Sequence, residues 1–71
     1  MMSDIKSLLG QHIRELRKSK NLSQEQLALS CGLSRQYIAD VERGARNIGI
    51  VNVQKIAKAL EIPLSELFDF K

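Results

Sequence analysis

A chain of 71 residues is one domain near the lower limit of unaided folding, burying only about 60% of its unfolded surface, and an apolar share of 44% excludes disorder. A single cysteine excludes an internal disulfide. No apolar run approaches the roughly 20 residues of a membrane span, and no signal-peptide core opens the chain, so a cytoplasmic protein without membrane partner is expected. Eleven basic residues against eight acidic give +3 and a sequence pI near 9.4, a mild bias that many soluble domains share.

The first predicted helix runs from about Asp4 to Lys18, with Ser3 or Asp4 as its cap. Ile5, Leu8, Leu9, His12, Ile13 and Leu16 recur at helical spacing and form its apolar stripe. Gly10 inside it costs up to about 1 kcal/mol against Ala, which predicts fraying of the first turns. His12 has no second His, Cys or carboxylate at ligand spacing. It reads as a half-buried packing residue, and no metal site is expected. Lys20-Asn21 closes the segment.

Ser23 opens the second helix, and Gln26 three residues later completes a capping box, in which hydroxyl and amide side chains each satisfy a backbone group. Leu27, Ala28 and Cys31 give it an apolar face. Gly32 suits the left-handed residue that ends a helix, and Ser34 can cap the next. Two short helices about a glycine turn are the signature of a helix-turn-helix. Around the third helix, at roughly 100° per residue, Tyr37, Ile38 and Val41 fall on one face with Glu42 at its edge. Arg35, Gln36, Ala39, Asp40 and Arg43 fall on the other. Arg can bridge the two acceptors of guanine, Gln can pair with adenine, and small Ala39 lets a helix approach a groove floor. The competing reading of this face is an ordinary solvated surface.

After Arg43, Gly44-Ala45-Arg46-Asn47-Ile48-Gly49 is an aperiodic loop. A fourth helix carries Ile50, Val53, Ile56, Ala57 and Leu60 on one face, and Pro63 ends it or opens the last, Leu64 to about Phe68. Five helices without a strand pattern make the chain all-α. Arg14, Arg17, Lys18 and Lys20 cluster at the end of the first helix, and Arg35, Arg43 and Arg46 follow the third. Such a footprint marks a nucleic-acid binder. The alternative for the first cluster is that cations favour a helix C-terminus.

SQEQLA, then GLSRQYIADVERG, then IVNVQKIAKALEIPLSELF resemble the DNA-binding domain of the lambda-repressor-like (XRE/Cro) family over about residues 9 to 68. The resemblance implies a compact five-helix domain with its helix-turn-helix at helices 2 and 3. The short Arg-Asn loop and the lack of a further domain resemble the small controller proteins of restriction–modification systems. Antitoxins and phage regulators share the same core. By this resemblance, Gln24 contacts a phosphate, Ser34, Arg35, Gln36 and Asp40 face base edges, and Tyr37 reaches a base or phosphate. Arg43, Arg46 and Asn47 grip the flanking backbone. Arg17 and Glu42 match a buried salt bridge, whose loss of one partner costs about 3–5 kcal/mol. Three positions depart from the pattern: Gly49 stands where a Ser or Thr cap is usual, Pro63 replaces a capping polar residue, and Asp40 is acidic on the reading face. Asp40 either accepts from a cytosine amine or pairs with Arg43 and orients it.

A monomer of this size reads too few base pairs to discriminate in a genome, so a homodimer on a pseudo-palindromic operator is expected, with half-sites about 34–36 Å apart. Ile50, Val51, Leu64, Phe68 and Phe70 are the residues assigned to its seam, Val51 and Phe70 because neither fits an inward stripe; the alternative is that all five close the core. The function expected is a sequence-specific transcriptional regulator that binds double-stranded DNA, with no enzymatic step, no cofactor and no small-molecule effector. The alternative is an antitoxin-type protein-interaction module that also binds its own promoter. As an enzyme the chain would rely on His12 and Cys31, which lack a third orienting group, and Cys31 reads as a small core residue.

Overall fold

Capping chemistry decides where each helix begins. The computed structural model describes residues 4–70; Ser3, one of the two expected caps, lies outside them. Asp4 accepts a hydrogen bond from the Ser7 amide at 2.9 Å and starts α1 (Ile5–Ser19). That amide holds the Asp4 carboxyl below its usual pKa. α2 (Gln24–Cys31) opens on the complete capping box: the Gln26 amide donates to Ser23 Oγ at 3.0 Å and the Ser23 amide to Gln26 Oε1 at 2.8 Å. Gly32, at φ 70°, ends it. Ser34 Oγ accepts from the Tyr37 amide at 3.0 Å and starts α3 (Arg35–Glu42). α4 (Ile50–Ala59) begins at Gly49 and α5 (Leu64–Leu67) at Pro63, neither with a side-chain cap. The described residues hold five helices and no strand, so the all-α expectation holds.

α3 lies against α1 and α2, α4 lies against α2, and α5 bridges α1 and α4. Ile13, Leu27, Ile38, Ile56, Leu60 and Leu67 meet at the centre, fully buried. Two residues assigned to inward stripes are not inward: Ile5 is 59% exposed and Ile50 is 73% exposed. Both stand in the first turn of their helix, where no neighbouring helix covers the stripe.

Gly10 also departs from expectation. A Cβ there would stand 2.8 Å from the Glu42 carbonyl oxygen and closer still to that of Val41. Glycine is therefore what allows α1 and α3 to cross in backbone contact. It does not loosen α1, which is helical from Ile5 through Gly10.

Candidate nucleic-acid interface

The placement of α3 depends on a buried joint at its C-terminal end. Arg17 Nε donates to Glu42 Oε2 at 2.7 Å and Arg17 NH2 to Glu42 Oε1 at 3.1 Å, with both residues 8% exposed. Arg17 NH1 donates to the Leu22 carbonyl at 2.7 Å, and Gln24 Nε2 donates to Glu42 Oε1 at 3.1 Å. One carboxylate thus ties α1, the start of α2 and the end of α3. A bidentate, fully bonded geometry is what a buried pair needs to offset its desolvation.

This joint revises the first basic cluster. Arg17 is internal and unavailable to a phosphate. Lys20 borders a different cleft, with Ser30, Leu60 and Glu61. Arg14, by contrast, lines a polar groove with Gln11, Gln24, Ala39 and Arg43. The cluster disperses because residues on one helix end point around its circumference. Gln24, expected on a phosphate, donates one side-chain N–H to Glu42 and keeps its second N–H on the polar groove.

The outward face of α3 keeps Arg35 and Gln36 exposed. Ser34 is exposed too; its Oγ accepts the cap bond and its O–H remains free to donate. Asp40 Oδ1 accepts from Arg43 NH2 at 2.7 Å and from Gln36 Nε2 at 2.9 Å. Tyr37 is half-buried: its ring packs against the core and its hydroxyl accepts from Asn52 Nδ2 at 3.0 Å. The Arg46 guanidinium lies over that ring, 4.4 Å from its centroid, a cation–π contact. Arg46 and Asn47 are exposed beside α3.

Asn52 was not singled out from the sequence, because its partner lies 15 residues away and no local pattern announces it. Arg14 was legible only as one of a cluster.

Of the residues assigned to a seam, Ile50, Val51, Leu64 and Phe68 are 73%, 62%, 42% and 41% exposed. Ile50 and Phe68 border an apolar groove with Ile5, Leu9, Ile48 and Val53. Phe70 behaves differently. It is half-buried against the chain's own core, with ring centroids 5.7 Å from His12 and 6.3 Å from Phe68. His12 Nε2 meets the Glu66 carbonyl at 2.9 Å, fastening α1 to α5. Cys31 Sγ donates to the Leu27 carbonyl at 3.1 Å, and burial pushes the thiol's pKa up.

Known proteins share both sequence and shape with this chain. The control protein C.BamHI of Bacillus amyloliquefaciens is 49% identical over 71 residues, covering 99% of this chain and 88% of that one. The control protein C.MunI of Mycoplasma sp is 47% identical over 94% of this chain and 92% of that one. The crystal structure of the restriction-modification controller protein C.AhdI from Aeromonas hydrophila superposes with a TM-score of 0.82 at 54% identity, over 83% of this chain and 89% of that chain. The helix-turn-helix model HTH_3 matches residues 13–67, which takes in all of α2, α3 and α4. The chain belongs to this helix-turn-helix family, of the XRE type.

Proposed function

We propose that this protein is a sequence-specific transcriptional regulator that acts as a homodimer on a pseudo-palindromic DNA operator, as the controller of a restriction–modification operon. The observation that carries it is the outer face of α3. Arg35 and Gln36 stand exposed on a helix whose other side is locked into the core by Ile38, Val41 and Glu42. A rigid helix presenting long polar side chains suits entry into a major groove, where base edges are read. Arg43, Arg46 and Asn47 flank that face and supply contacts to phosphate, which position without specifying. Exposed apolar residues on α4 and α5 supply the self-contact. The controller relatives favour this reading over a toxin-masking module.

The work so described needs no chemical step and no cofactor or effector, and belongs in the cytoplasm with the chromosome. Selection of bound sites from random duplex DNA tests it. The expected product is a two-fold related pair of half-sites whose centres lie about 34–36 Å apart along the helix axis. No enrichment, or a lone half-site, would overturn the reading.

A further inference from the structure

Arg14 is a cation without a counter-charge. Its neighbours one turn away on α1 are Gly10, Gln11, Arg17 and Lys18, none of them acidic. Glu15, the one acid within α1, borders a different cleft with His12 and Asp69. Among the described residues Arg14 enters no ion pair; the two that form join Arg17 to Glu42 and Arg43 to Asp40. Its side chain lines the polar groove between α1 and α3, with Gln11, Gln24, Ala39 and Arg43. That groove holds about 630 Å³, ample for a phosphodiester group. Glu42 is the one carboxylate among the residues lining it, and it is buried and already bonded by Arg17 and Gln24. The groove therefore presents donors and unbalanced positive charge, and a cleft focuses such a potential. Its α3 bank, Ala39 and Arg43, belongs to the outer face proposed to meet DNA, and Ala39 is too small to close the mouth.

We infer that this groove seats one phosphate of the DNA backbone, with Arg14 as its counter-charge and the second side-chain N–H of Gln24 as a further donor. A phosphate oxygen only accepts, and a guanidinium beside it makes the stronger, charge-assisted kind of hydrogen bond. The inference rests on the DNA-binding function proposed above. It adds α1, which carries none of the contacts proposed there, to the elements that grip the backbone.

The test uses the full chain and the operator recovered by selection. Between about 50 and 200 mM salt, binding by Arg14→Ala should weaken less steeply than binding by the wild-type protein. The difference should be about threefold for each subunit bound, one lost phosphate contact apiece. Lys20→Ala removes a charge of the same sign near the end of α1 but from a different cleft, and should keep the wild-type salt dependence. Both side chains are exposed, so both variants should keep the wild-type thermal midpoint. Single methylphosphonates, which neutralise one phosphate at a time, then locate the contact. In each half-site, one substitution that weakens the wild-type protein should leave Arg14→Ala unaffected, while the others weaken both. An unchanged salt dependence in Arg14→Ala would overturn the inference. So would equal flattening in Lys20→Ala, which reduces the effect to net charge, or methylphosphonate profiles that coincide in the two proteins. Each of these leaves base preference intact. A wild-type protein that prefers no duplex at all would instead bring down the function on which the inference rests.

Discussion

Arg35 and Arg46 carry the same charge and are held in different ways. Arg35 is exposed at the first position of α3, while Arg46 rests against the Tyr37 ring at the flank of that helix. The difference predicts different binding phenotypes. Arg35→Ala should cost about 1–3 kcal/mol on the preferred site and relax one base position, measured by titrating single-base variants of that site. Losses of equal size on every sequence would contradict readout. Arg46→Ala should weaken binding on all sequences alike and flatten the salt slope by about one unit. An unchanged slope would take Arg46 off the phosphates. Cys31 lies outside this contrast, since its thiol is buried and neutral and serves as a packing group.

Between helices, the informative residue is Gly10. Helix propensity alone says that Gly10→Ala should stabilise α1 by about 1 kcal/mol. The crossing of α1 over the last turn of α3 says the opposite, because the new methyl would meet the Val41 and Glu42 carbonyls, backbone that cannot swing aside. Overpacking of this kind costs about 1–3 kcal/mol, so the urea midpoint of Gly10→Ala should fall. A midpoint that rises would mean that the two helices have room to separate. The same crossing places Arg17 and Glu42 within bonding reach, so the seating of α3 and the burial of the ion pair depend on one glycine. The Asn52–Tyr37 bond joins α3 to α4 in a similar way, linking the helix proposed to enter the groove to one that carries the proposed seam.

For the molecule as a whole, the unbalanced feature is apolar surface. Ile50 and Val51 at the start of α4, with Leu64 and Phe68 of the C-terminal segment, expose side chains that a small isolated domain would gain by covering. A symmetric pair of chains would cover each patch with the same patch of a second copy. Val51 is 62% exposed and contributes nothing to the chain's own core, so Val51→Asp should leave the fold intact and yield a monomer in sedimentation. The wild-type thermal midpoint should rise with protein concentration and the variant's should not. A dimeric Val51→Asp protein would move the seam elsewhere.

Much of the architecture was legible because it is written locally. The Ser23–Gln26 box, the Ser34 cap and Gly32 act within three or four residues, and the apolar periods of α1 and α4 need only their own chain. From them follow five helices, the limits of α1, α2, α3 and α5 to within a residue or so, and the face of α3 that stays polar, whereas α4, left open as far as Pro63, ends at Ala59. What remained hidden joins residues far apart in the chain: Gln24 to Glu42 across 18 positions, Asn52 to Tyr37 across 15, and Gly10 to the carbonyls of α3. Such pairs depend on the angle and distance at which finished helices cross, and no periodicity encodes that. The same limit explains Ile50 and Phe70. Their sequence pattern shows that they are apolar, but only the packing of α1, α4 and α5 turns one outward and folds the other back onto His12.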